Sequence, residues 1–274
     1  MLNAIFGTGS KQATPLDKAE AAIEKKDYPA LAQAAKEIAG LVHENRDLID
    51  PLLRVADQLA QHKKFVPQAI EAAMVAAYYA PSDSDLAGQA LRTWVTHVDA
   101  LPKATQRIDA AKKATGHAPF GSDFSGQIAR TILKHVDALP DTAQRVDAAQ
   151  AAAYYAPSGS GLEQQAVRSW MTHVDALPDA AQRVHAAQMA VRHVAPSDSY
   201  FEEQALRMIL KHVDALPTVE QRIEAVEEVA CYAPLGSDFA RQVEIKLNAA
   251  RATLHPVLPT RAAVKGVVRK PTRS

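Results

Sequence analysis

The chain has 274 residues, of which 47% are hydrophobic and 23% charged, with a formal net charge of zero; this is ordinary for a soluble globular chain. Aromatic residues make up 5% and alanine is abundant, a bias that favours helix and tells against strands. No apolar run approaches the ~18 residues that span a bilayer, and a single cysteine, Cys231, excludes an internal disulfide framework and fits a reducing compartment.

Residues 1–14 are small and polar and read as a flexible lead-in, without the basic n-region or the apolar stretch of a secretory signal. The chain is expected to be cytoplasmic, although an effector exported by a non-classical route would look the same. Residues 15–62 predict an N-terminal helical cap of three helices. The first runs over about 15–26, with Thr14 as N-cap and Pro15 at the first helical position. The second, over about 29–43, repeats Leu31, Ala34, Ala35, Ile38 and Leu41 at intervals of three and four. The third, over about 47–61, carries Leu48, Leu52, Val55 and Leu59, with Pro51 tolerated in its first turn.

From there the chain is periodic. The phrase HVDALP recurs at 97–102, 135–140, 173–178 and 212–217, at intervals of 38, 38 and 39 residues. A fixed period in this range marks an array in which each unit buries its apolar face only against its neighbours. Residues 63–255 predict five helix pairs, each with a helix A, a turn containing Pro81, Pro119, Pro157, Pro196 or Pro234, and a helix B ending in the repeated phrase. Asp141 with Gln144, Asp179 with Gln182, and Thr218 with Gln221 have capping-box spacing at the starts of helix A. Helix B is expected to start after Ser82, Ser122, Ser158, Ser197 and Ser237.

Helix B carries the main apolar stripe: Leu91, Trp94, Val95, Val98 and Leu101 in the first pair, and Val167, Trp170, Met171, Val174 and Leu177 in the third. The fourth has Leu206, Ile209, Leu210, Val213 and Leu216. At ~100° per residue these offsets share one face. The fifth pair has Glu244, Leu247, Asn248, Arg251 and Leu254 there, the polar substitution expected of a terminal repeat. The stripe of helix A is alanine-rich, with Val146, Ala149, Ala153 and Ala156. Units one and three share YYAPS, and units two and four share ILKHVDALP, so the larger repeat spans about 76 residues, as from Pro81 to Pro157. Residues 256–274 read as a basic, disordered tail; 251–274 carry six basic residues and no acid, leaving −6 on 1–250.

The histidines of the repeated phrase (His97, His135, His173 and His212) invite a metal or catalytic reading. Packed repeats stack at ~10 Å, whereas zinc ligands lie ~2.0–2.1 Å from one centre. The reading is therefore structural: each imidazole bonds a neighbouring group. Arg92, Arg130, Arg168 and Arg207 on helix B, and Arg107, Arg145, Arg183 and Arg222 on helix A, form two arginine columns. They serve either phosphate binding or ties between repeats, and the acidic body and scarce aromatics favour ties. Cys231 has no motif partner and reads as a small hydrophobe. The chain lacks the Gly-rich phosphate loop, HExxH and GxSxG, so no catalytic, cofactor or metal residues are predicted, and no enzymatic activity.

The variable positions lie on helix A. Lys112 and Lys113 become Gln150 and Ala151, then Gln188 and Met189, then Glu227 and Glu228. Beside them, Tyr78, Tyr79, Tyr154 and Tyr155 near the helix A ends are candidate anchors, with the alternative that one tyrosine of each pair packs against the turn.

The helix-pair pattern resembles tetratricopeptide and HEAT arrays in architecture only: the period falls between theirs, and the ordered tetratricopeptide residues are absent. The expected fold is an all-α, α/α solenoid of helix-turn-helix repeats. The expected function is a scaffold that binds a protein or peptide along the helix A layer. The alternatives are nucleic-acid association through the arginine columns and basic tail, and self-association through an incompletely capped end.

Overall fold

The computed structural model describes residues 13–81, 84–118, 122–194, 199–234 and 236–254. The expectations for most of the lead-in and for the basic tail, and those for Ser82, Pro119, Pro196 and Ser197, lie outside the described residues.

Every regular element among the described residues is helical. Helix α1 (Pro15–Lys25) opens on a capping box: Asp17 N donates to Thr14 Oγ1 at 3.1 Å, and Thr14 N donates to Asp17 Oδ2 at 2.8 Å. It stops where Lys26 turns left-handed at φ 53°. Helix α2 (Tyr28–Leu41) starts from Asp27, whose Oδ1 accepts from Ala30 N, one residue ahead of the expected boundary. A 3-10 turn (Arg46–Leu48) leads into α3 (Ile49–Ala60), which buries Leu52, Val55 and Leu59 on one side.

Five helix pairs follow: α4 (Val66–Tyr79) with α5 (Asp85–Val98), α6 (Ala104–Thr115) with α7 (Asp123–Val136), and α8 (Thr142–Tyr155) with α9 (Gly161–Val174). The last two are α10 (Ala180–Val194) with α11 (Ser199–His212), and α12 (Val219–Tyr232) with α13 (Asp238–Leu254). The chain forms two compact units, Met1–Ala176 and Leu177–Ser274. In the first, each helix packs against its neighbours along the chain and most also pack against the helix two positions on, the pattern of an α/α repeat array. In the second, α10 packs on α11, α11 on α12 and α12 on α13. The fold class expected from the period is the one observed.

The recurrent valines explain why the pairs stack. Val98, Val136, Val174 and Val213 are each 2% exposed or less, and burying such a side chain stabilises by about 1.5–3 kcal/mol. A lone helix pair has nowhere to bury them. The whole B stripes of the first, third and fourth pairs are buried, as are Val146, Ala149 and Ala153 on α8 and Ala156 at its C-cap. On α13, by contrast, Glu244, Asn248, Arg251 and Leu254 are exposed and only Phe239 and Val243 are buried.

The connectors correct the expected cap positions. Helix B starts two residues later than expected in the first and third pairs: Ser84 and Ser160 are the N-caps, accepting from Ala87 N and Glu163 N. Ser122 and Ser237 serve at their expected places. In each of these four, the serine stands three residues after the proline, and for Ser84, Ser160 and Ser237 its N–H donates to the proline carbonyl. The proline thus opens a turn before the helix begins. Gly159 (φ 71°) and Gly236 (φ 76°) occupy the third turn position, a left-handed conformation that favours glycine. At the helix A starts, Asp141, Asp179 and Thr218 accept from Gln144 N, Gln182 N and Gln221 N, as the spacing predicts.

Candidate partner-binding surface

Two of the four repeat histidines, His135 and His173, are tied across a repeat boundary. His135 is 7% exposed and its Nε2 lies 2.6 Å from Asp99 Oδ1; His173 is 9% exposed and its Nε2 lies 3.1 Å from Asp137 Oδ1. Each aspartate meets the histidine of the next repeat, not of its own helix. An ionised carboxylate only accepts, so Nε2 carries the proton in both bonds. Lys134 also bonds Asp99, and Arg107 Nη1 approaches His135 Nδ1 at 3.4 Å. Burial opposes ionisation of Asp99, but the hydrogen bonds from Lys134 and His135 outweigh it and hold its carboxyl below the ordinary aspartate range. Among the described residues, no three His, Cys, Asp or Glu side chains come together to hold a metal ion.

The helix A arginines are likewise engaged. Arg107, Arg145, Arg183 and Arg222 each donate through Nε to the leucine carbonyl of the HVDALP that closes the preceding repeat, on Leu101, Leu139, Leu177 and Leu216, at 2.7, 2.8, 2.6 and 2.9 Å. The four helix B arginines are exposed. Arg92 lies over the Phe124 ring at 5.8 Å, and Arg207 lies over Phe239 at 5.4 Å while pairing with Glu203. In each cation–π contact the arginine reaches the following repeat, a tie worth about 0.5–1 kcal/mol at exposed sites.

The variable helix A positions divide into two groups. Lys112 Nζ bonds Asp147 of the next A helix at 2.6 Å, and Gln188 Nε2 bonds Glu228 at 2.6 Å. Glu228 also accepts from Arg192, and Glu227 pairs with Arg251 of α13 at 2.8 Å. These residues therefore bridge neighbouring helices as well as varying between repeats. Gln150 is half-buried on α8, while Lys113 is exposed on α6.

The tyrosine pairs also split. Tyr78 is 67% exposed and Tyr154 55%, whereas Tyr79 and Tyr155 are half-buried beneath them. Within each pair the rings meet edge to face, at 4.9 Å and 5.1 Å between centroids. The second tyrosine packs and holds the first outward, where it offers a flat amphipathic face at little entropic cost. Cys231, expected as a small buried hydrophobe, is exposed instead: it stands three residues before Pro234, where the first and third repeats carry Tyr78 and Tyr154.

Two features escaped the sequence reading: the Asp–His bond between repeats and the Arg–Phe stacking. Both had a signal: the Asp and His recur in four repeats at fixed offsets, and a phenylalanine recurs at one offset in three, as Phe124, Phe201 and Phe239. Among the described residues no helix is long and apolar enough to cross a membrane. No protein-family model matches the chain, and no curated protein matches its sequence.

Proposed function

We propose that the helix pairs form a non-catalytic scaffold that binds a protein or peptide partner on the exposed faces of the A helices, in a reducing, cytoplasmic compartment. The observation that carries this is the outward display of Tyr78 and Tyr154, each braced by a second, half-buried tyrosine. Exposed aromatic rings on a rigid support are the side chains that anchor protein interfaces. The engagement of the helix A arginines with leucine carbonyls supports a protein partner over nucleic acid, because it leaves fewer side chains directed at phosphates. The test is affinity capture from native extract with the wild-type chain, with a Tyr78→Ala/Lys113→Glu/Tyr154→Ala variant, and with an Arg130→Ala control on helix B. The expected result is a set of proteins kept by wild type and control and lost by the triple variant. Equal recovery by all three refutes this surface.

A further inference from the structure

We infer that the cleft between the first and second helix pairs holds one aromatic side chain of the bound partner; this rests on the reading that the partner is a protein or peptide. The cleft has a volume of about 650 Å³ and is walled by Tyr78, Gly88, Leu91, Gly116, His117 and Phe124. That volume lies within the range of about 300–1,000 Å³ found for pockets that enclose small ligands, ample for one side chain. Its rim is aromatic and its wall has two positions without side chains.

The array itself indicates which guest fits. Counting back three residues from Pro81, Pro119 and Pro157 gives Tyr78, Gly116 and Tyr154; counting back two gives Tyr79, His117 and Tyr155. In the first and third repeats the two rings of the pair meet edge to face, at interplanar angles of 77° and 84°. The second repeat keeps the inner ring, His117, and lacks the outer one. A Cβ on Gly116 would have only the Lys113 carbonyl within reach, at 3.7 Å. His117 instead meets Tyr78 at 5.8 Å and 73°, across the repeat boundary. A guest ring entering here takes the place of the missing outer tyrosine, edge-on to His117 and against Tyr78. Aromatic pairs in this arrangement gain beyond their burial, which selects a ring over an aliphatic side chain.

The full-length chain is titrated with N-acetyl-tyrosinamide, and with N-acetyl-leucinamide as the aliphatic control, while the ring resonances of Tyr78 and His117 are followed by NMR. The expected result is saturable binding of the tyrosine probe at a Kd on the order of 1 mM, about tenfold tighter than leucine. Gly116→Tyr copies the residue of the first and third repeats, and the backbone at Gly116 (φ −64°, ψ −12°) accepts a side chain. This variant is expected to keep the wild-type Tm and to weaken the tyrosine probe at least about tenfold by occupying the space. Tyr78→Ala, a change at an exposed position, is expected to weaken it similarly and serves should Gly116→Tyr fold poorly. Absence of saturable shifts, equal binding of the leucine probe, or undiminished binding to a folded variant overturns the inference. If the probe binds as expected but affinity capture is insensitive to the helix A variant, the scaffold reading fails and the ring site stands; the converse pair of results removes the ring site alone.

Discussion

His135 Nε2 and Asp99 Oδ1 lie 2.6 Å apart although 36 residues of chain separate them. The histidine side chain is 9% exposed and the aspartate side chain 43%, so the bond is buried at one end and partly open at the other. It links two adjacent repeats at the end of their B helices, where neither helix alone supplies both partners.

Removing either partner strands the other. Asp99→Asn and His135→Ala should each destabilise the chain by about 1–3 kcal/mol, and the double variant should lose less than the sum. Urea denaturation of the four species gives the coupling; additive losses would mean that the two groups do not interact. His173→Ala should show a weaker coupling to Asp137, whose side chain is 86% exposed.

Acid should weaken the same link. The folded-state carboxyl of Asp99 titrates below the ordinary aspartate value, so between the folded and unfolded pKa values the unfolded chain binds more protons. Its contribution is complete above the unfolded value and is lost as pH falls through the folded one. Plotted from about pH 6 down to pH 2, the Tm of wild type should converge on that of Asp99→Asn. Parallel curves over the whole range would contradict the assignment.

The arginine on each leucine carbonyl should not be replaceable by lysine. Arg145 donates through Nε to Leu139 O at 2.8 Å, and a lysine ammonium lacks that planar donor. Arg145→Lys and Arg145→Met should lower stability by similar amounts, about 1–3 kcal/mol, read from the urea midpoint. Full stability in the lysine variant would show that charge alone matters.

Cap replacement distinguishes the connector geometry. Ser160→Ala should cost about 1 kcal/mol, while Ser158→Ala, two residues earlier and exposed, should change stability by no more than about 0.5 kcal/mol. Thermal unfolding of both variants settles which serine caps α9.

Core and surface apolar positions should separate widely. Trp94 is 0% exposed, and Trp94→Ala should cost about 3–5 kcal/mol. Ile245 on α13 is 69% exposed, and Ile245→Ser should stay within about 0.5 kcal/mol of wild type. A comparable loss at both sites, measured by urea titration, would mean that the outer face of α13 is covered.

The helix pairs were legible in sequence because one helix face is buried in every repeat, and burial fixes residue type: Val98, Val136, Val174 and Val213 could be read from offset alone. The polar turn at Glu244 and Asn248 was legible for the same reason. The Asp99–His135 bond was not, because residues two apart on one helix face different ways and only stacking brings the second partner in. Lys112 and Glu228 read as a free, variable surface, yet they bond Asp147 and Arg192 at separations of 35 and 36 residues. Ser158 was mistaken for a cap because the proline turn uses three residues before the helix starts. Gly116 carried no pattern of its own; its meaning lies in the ring that the repeats on either side possess.

The staggered bond also bears on how such a chain could change in length. Asp99 and Asp137 each lend an acceptor forward to the histidine of the following copy, so inserting or excising one whole period beside them adds or deletes a complete Asp–His link and orphans neither half. A slip of any other size would break the rhythm at once. At the far end the forward acceptor, Asp214, meets Lys246 in place of a histidine, so the last copy closes the series with a different cation.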